Sequence, residues 1–209
     1  MPPPPPPANQ SCYGRDINRN WPYKWNANPD GASPDPCSQI YRGEAPGDTP
    51  ENQGLVKLVN RLRDLNGIKL YIDWHSYGQY ILSPWGYNCT IVPADVGKHI
   101  QLASLTSETI RDEGGYNTTF TFGPSCSTLY ATTGSSVDYI YGPGQADWAY
   151  TIELRDTGNF GFVLPPEQIR GTAEEQWVGM QVILSLLDEV FFDGEGPAGA
   201  KGGEARLGG

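Results

Sequence analysis

This chain of 209 residues contains two histidines, His75 and His99, so any imidazole chemistry starts from one of them. His75 lies in the stretch YIDWHSYGQ (71–79), at the end of an apolar run from Ile68 to Trp74 that reads as a buried strand. Ligand sites in open α/β sheets collect at that end of a strand. Taken alone, however, an imidazole at a strand end is a structural residue by default. A second run of the same kind, WAYTIEL (148–154), carries Glu153 near its end. A carboxylate inside such a run is costly unless it is paired or used. Arg155, two positions on and on the same strand face, is the partner expected if Glu153 is merely paired. His99 falls in a helical pattern from Pro93 to about Asp112 and is expected to be a partly exposed helix residue without a catalytic role.

The elements that must position these residues are legible to different degrees. Thr49, Pro50 and Glu51 form a helix start, with a capping hydroxyl, a proline at the first helical position and a carboxylate in the first turn. Apolar residues at Leu55, Val56, Leu58, Val59, Leu62 and Leu65 then give an amphipathic helix that Gly67 ends. The strand into His75 follows at once. Tyr80, Ile81 and Leu82 resume a short apolar run, and SPWGYN (83–88) reads as an aromatic-rich turn. From Gly114 to Gly144 the sequence is a long run of Gly, Ser, Thr and Tyr without a period, whose aromatics argue for an ordered functional loop. The last element is a helix from about Thr172 to Val190, with Thr172 and Glu175 as a capping box and a broad apolar surface to pack across the sheet. Ser11 to Trp25 reads as an irregular loop. Asn28 to Pro36 is dense turn chemistry between Cys12 and Cys37, which would close a loop of modest size if bridged.

Length and composition bound the rest. One domain is expected, from residue 11 to 192, preceded by a Pro-rich leader (1–10) and followed by a disordered Gly-rich tail (193–209). Asp plus Glu number 24 against 14 Lys plus Arg, for a formal charge of -10, which argues against nucleic acid or an anionic membrane as partner. No apolar run is long enough to span a bilayer, and the start MPPPPPPANQ has neither the basic nor the apolar region of a signal peptide. Sequons at Asn9, Asn88 and Asn117 and an even count of four cysteines suggest an extracellular design all the same.

From about Ser11 to Phe192 the chain resembles the zinc metallocarboxypeptidases of the carboxypeptidase A type, especially the fungal secreted members. Four motifs in the family order carry the resemblance: GRDINRNW (14–21), WHSYGQ (74–79), STLYATTGSSVD (127–138) and IELRDTGNFGFVLP (152–165). It implies an α/β fold, a mixed and mostly parallel sheet flanked by helices. It also implies roles: His75 as a zinc ligand, Glu153 as general base and proton shuttle, and Asn18 and Arg19 as the pair that holds the substrate's terminal carboxylate. A guanidinium suits that task because its planar fork binds both oxygens. Tyr130 would close over the bound residue, and Ser76 and Tyr77 would contact the substrate further along. Val137 would form the base of the side-chain pocket, lined also by Leu82, Gly86, Leu129 and Thr151. Without an acid there, apolar or aromatic C-terminal residues are expected to be preferred over Lys or Arg. The family's disulfide corresponds to Cys12–Cys37, which leaves Cys89 and Cys126 as the other pair.

The family's other two zinc ligands come from a His-x-x-Glu motif that precedes the asparagine–arginine motif, as does its oxyanion-stabilising arginine. No His-x-x-Glu occurs in these 209 residues. The expectation is therefore the C-terminal two-thirds or so of a secreted, monomeric metallocarboxypeptidase acting on peptide or protein C-termini, with its first strands missing and an incomplete zinc site. Such a chain would bind zinc poorly, have negligible peptidase activity alone and expose a sheet edge. A non-catalytic module that grips peptide C-termini is the alternative. A sugar-binding domain using Trp21, Trp25, Trp85 and Tyr87 is a third reading with less behind it.

Overall fold

The computed structural model describes Cys12, residues 14–187 and the backbone of residues 204–206. Its strands are β1 (Leu70–Ser76), β2 (Tyr80–Ser83), β3 (Ile91–Pro93), β4 (Thr121–Pro124), β5 (Trp148–Leu154) and β6 (Glu204–Arg206). Its helices are α1 (Pro50–Leu65), α2 (Val96–Glu113), the short α3 (Ser125–Thr128) and α4 (Ser136–Tyr141), and α5 (Ile169–Leu186). Four strands form one sheet in the order β1-β5-β2-β4, with β1 parallel to β5, β2 parallel to β4, and β5 antiparallel to β2. This is the mixed, mostly parallel sheet flanked by helices that the resemblance implies.

Alternation along β5 divides the molecule into two faces. Trp148, Tyr150 and Ile152 pack with Ile81, Leu102, Ile110, Phe120 and Ile183 in a core between the sheet, α2 and α5. Each large side chain buried there contributes roughly 1.5–3 kcal/mol. Ala149 on the opposite face meets Trp85, Tyr87, Val137 and Tyr141, and Thr151 and Glu153 continue that face toward the site. A third cluster, Trp21, Val59, Tyr139, Ile140 and Ala146, fixes α1 and α4 on the same side. The expected start of α1 is present: the Thr49 hydroxyl accepts from Asn52 N, and Pro50 opens the helix.

Several expectations are corrected. β1 is half-buried, because it stands at an edge of the sheet among the described residues, and Trp74 is 44% exposed. The stretch 114–144 is not one loop; it holds β4, α3 and α4, elements too short to display a period. The last helix begins at Ile169, after a 3-10 turn at Pro166–Gln168 that follows Pro165, so Thr172 and Glu175 lie inside it. The Thr172 hydroxyl donates to Gln168 O (2.8 Å) instead of capping. Of the stretch 193–209, expected to be disordered, Glu204–Arg206 pair antiparallel with β3; the rest of it, and the leader 1–10, lie outside the described residues. Both disulfides, Cys12–Cys37 and Cys89–Cys126, are formed, each worth about 3–4 kcal/mol by loop closure. No helix among the described residues is long and apolar enough to cross a membrane.

His99 is likewise corrected. It is fully buried, ringed by Tyr141, Trp148 and Tyr150, and its Nε2 has no hydrogen-bond partner. Burial lowers its pKa from 6.5 to about 4, against the opposing pull of Asp95. The unfolded chain therefore takes up a proton first as pH falls. The stability this site allows is fully present above about pH 6.5 and is lost toward pH 4. His99→Phe, which keeps an aromatic ring in an aromatic cage, should remove that component. Denaturation curves of the variant and the parent should diverge by on the order of 2–3 kcal/mol between neutral pH and about pH 4.5, the parent losing more.

Candidate functional site

The register of β1 on β5 sets His75 directly beside Glu153, and Asp73 beside Thr151. Tyr71, Asp73 and His75 share one face of β1 by alternation, the face toward α4. The loop ahead of α1 reaches the same place. Asp16 caps a short 3-10 turn, Ile17–Arg19, by accepting from Asn18 N (2.9 Å). That turn is held from below by Asn20, which is fully buried. Asn20 Nδ2 donates to Arg42 O (2.6 Å), Ala45 O (3.0 Å) and Asp48 Oδ1 (2.9 Å), while its Oδ1 accepts from Asn52 Nδ2 (3.1 Å) at the start of α1. Asn52 Nδ2 also reaches Ile17 O (3.1 Å).

A cavity of about 80 Å³ lies where these segments meet. Asn18, Arg19, His75 and Glu153 bring amide, imidazole and charged groups to it, and Leu82, Leu129, Tyr130 and Val137 line it together with the hydroxyl residues Ser125, Thr132, Ser135 and Thr151. Val137 is buried, whereas Tyr130 is 55% exposed at the rim. Ser76 and Tyr77 are not among the lining residues; Tyr77 stands outside, its ring edge-on to Phe162 at 4.9 Å. Gly86 does not line the cavity either, its N–H being given to Asp138 Oδ1 (2.9 Å). Asp138 also accepts from Tyr87 N (3.1 Å) and so ties the loop after β2 to α4 behind Val137. Complete burial raises its pKa to about 7, despite these bonds.

Two charged groups in the cavity each keep one buried atom without a partner. Arg19 spends Nη1 on Asn18 O (2.8 Å), with Asp16 Oδ2 4.0 Å away, but its Nε is buried with nothing to donate to. Glu153 Oε2 is buried without a donor. Burial raises the Glu153 pKa, opposed by the neighbouring His75. Arg155 is not its partner: β5 ends at Leu154, so the alternation no longer governs, and Arg155 pairs with the fully buried Glu175 and with Thr118. His75 Nε2 lies 3.1 Å from Asp73 Oδ2, a hydrogen bond that raises the imidazole pKa. Burial pushes the Asp73 pKa up, but the bonds from His75, Ser136 and Tyr71 outweigh it and hold the group below the ordinary value.

Asp73 and Ser136 escaped the reading of the sequence, although the two-residue spacing of Asp73 from His75 on one strand carried the signal. Ser136 had none, since its place depends on α4. Among the described residues no three His, Cys, Asp or Glu side chains converge to hold a metal ion. His75 is one imidazole with Nε2 already engaged, so these residues do not complete a zinc site by themselves.

Comparisons with known proteins identify the family and the fold. Residues 6–179 match the model of the zinc carboxypeptidase family. A metallocarboxypeptidase A-like protein of Trichophyton verrucosum is 44% identical over 176 residues, covering 84% of this chain and 41% of the relative. Carboxypeptidase A4 of Mus musculus is 38% identical over 173 residues, 83% of this chain and 39% of the relative. Among solved structures, bovine thrombin-activatable fibrinolysis inhibitor in complex with tick carboxypeptidase inhibitor superposes with a TM-score of 0.78 at 32% identity, over 86% of this chain and 59% of that one. Carboxypeptidase A from Helicoverpa armigera gives 0.74 at 25% identity, over 84% and 42%. The chain thus spans about two fifths of the length of the curated relatives it matches, less than the two-thirds expected.

Gly134 is where the turn bearing Arg19 is most exposed to a single change. It has a φ of +62, its carbonyl accepts from Trp21 N (2.9 Å), and an added Cβ would lie 2.4 Å from Arg19 O. Gly134→Ala should cost about 2–3 kcal/mol in chemical denaturation, through a left-handed backbone and the displacement of Arg19.

Proposed function

This chain belongs to the zinc carboxypeptidase family, and we propose that its cavity is the part of a metallocarboxypeptidase site that receives the C-terminal residue of a peptide or protein. The observation that carries this is the unpartnered, buried Nε of Arg19 beside a cavity that the buried Val137 also lines. A buried guanidinium donor without an acceptor is costly unless a ligand supplies one, and a terminal carboxylate is the acceptor its planar fork fits. Asn18 stands beside it as a second contact. The side chain of the bound residue then passes Tyr130, which can fold over it, and ends against Val137 and Leu82.

Apolar and aromatic C-terminal residues are preferred. Asp138, next to Val137, is fully committed to Gly86 N and Tyr87 N and offers no charge to a Lys or Arg side chain. Glu153, its carboxylate half unsatisfied and its pKa raised by burial, is suited to hold and return a proton beside the scissile bond. Ser76 and Tyr77 serve the substrate outside the cavity, where Tyr77 and Phe162 form an aromatic edge. The family's reaction is zinc-dependent hydrolysis of the C-terminal peptide bond. With His75 as the one imidazole in place, the 209-residue chain alone holds zinc weakly and turns over negligibly. The two disulfides fit secretion.

Titration calorimetry with a short peptide ending in Phe, its C-terminal amide and the same peptide ending in Lys tests the binding. Affinity should fall at least about tenfold on amidation, and Phe should bind more tightly than Lys. Equal affinity for acid and amide, or a preference for Lys, would refute it. A blocked dipeptide ending in Phe, assayed with added zinc, should show no chelator-sensitive hydrolysis. Robust turnover would overturn the weak-zinc part of the proposal and leave the binding part standing.

A further inference from the structure

Besides its bond with Tyr71, Asp73 meets Ser136, His75 and Asn18 through one oxygen. Its Oδ2 takes the Ser136 hydroxyl, lies 3.1 Å from His75 Nε2 and 3.4 Å from Asn18 Nδ2. Asn18 Nδ2 is also 3.4 Å from His75 Nε2. Only one protonation pattern of a neutral ring satisfies all four atoms. If Nε2 were bare, its lone pair would oppose a carboxylate oxygen at hydrogen-bond distance, two acceptors with no proton between them. With the proton on Nε2 the ring donates to Oδ2, Asn18 Nδ2 donates to the same oxygen, and Nδ1 keeps its lone pair. The orientation of the Asn18 amide agrees, since its Oδ1 is fixed as an acceptor by Ser136 N at 2.8 Å.

We propose that Asp73 is a positioning residue that fixes the tautomer and ring orientation of His75 and couples that imidazole to Asn18. The three residues met through that oxygen come from separate segments: Asn18 from the turn before α1, His75 from β1 and Ser136 from the start of α4. Asp73 therefore closes a ring of contacts, Asp73–Ser136–Asn18 and back to Asp73, with His75 hung from its shared corner. A tautomer fixed by a carboxylate on one ring nitrogen leaves the other nitrogen as the only lone pair the ring offers to a proton or an ion. The effect on the imidazole stands on this geometry alone; the consequence for peptide binding rests on the role given to Asn18 and Arg19 above.

Nitrogen-15 NMR of the uniformly labelled chain reads the tautomer directly. There are two histidines, and His99→Phe assigns their signals. Above the ring pKa, His75 of the parent should be a single form with the proton on Nε2. Asp73→Ala should populate both tautomers and weaken binding of the Phe-ended peptide roughly tenfold by freeing Asn18. Asp73→Asn, which keeps a weaker acceptor of the same shape, should shift the tautomer in the same direction to a smaller extent and serves as the test if the alanine variant does not fold. A parent ring protonated on Nδ1, or a His75 signal unchanged in the folded variants, overturns the proposal. If the tautomer moves but the parent binds neither acid nor amide peptide, the positioning role holds and the proposed peptide site fails; binding intact with an immobile tautomer is the converse.

Discussion

The parallel pairing of β1 with β5, in the one register that sets His75 beside Glu153, is the constraint on which the rest of this site depends. A slip of one residue would send Tyr71, Asp73 and His75 to the face that packs against α2 and α5. That face cannot take them. Trp148, Tyr150 and Ile152 already fill it from β5, and the gain from burying those side chains is what holds the register. A polar site on one face is thus secured by an apolar core on the other, and β5 serves both because its alternate residues never compete for the same space.

Around that pair the molecule relies on buried polar groups to hold long loops. Asn20, without exposure, gathers three carbonyl or carboxylate oxygens and two donors, and so joins the loop at 42–48 to the start of α1 and to the turn bearing Asn18 and Arg19. Asp138 does the same for the loop after β2. Arg155 and Glu175 link the end of β5 to α5 through a pair that burial would make costly if either partner were lost. None of these anchors lines the cavity, yet each adjoins a segment that does.

Other surfaces remain open. β1 has a neighbour on one side only among the described residues, Trp74 is substantially exposed beside an apolar groove with Leu154, Leu164 and Ile169, and Leu55, Leu58, Leu62 and Leu65 of α1 are exposed. Apolar periodicity identified α1 as a helix correctly, but none of its four leucines is covered. A hydrophobic stripe records what a helix is suited to bury. Whether anything is packed there is a property of neighbours.

Local chemistry was enough to read α1, β1, α2 and β5 from the sequence, because caps, prolines and apolar runs act within a few residues. The motif order around His75, Glu153, Asn18, Arg19 and Tyr130 identified the family for the same reason: it is written along the chain. The sequence placed His99 in a helix and left it partly exposed; the aromatic rings arriving from α4 and β5 make it a fully buried group with a depressed pKa. Arg155 looked like the partner of Glu153 until the strand ended one residue too soon and Glu175 arrived from α5. Ser136, 63 positions from Asp73, could not be connected to it by any pattern in the chain. The sequence by itself determined the family and several of the elements that build the fold, since those depend on local propensity and order. Tertiary structure alone decided which charges are paired, which charged atoms are left without partners and which donors gather around Asp73, because hydrogen bonds and desolvation are set by atoms that meet only after folding.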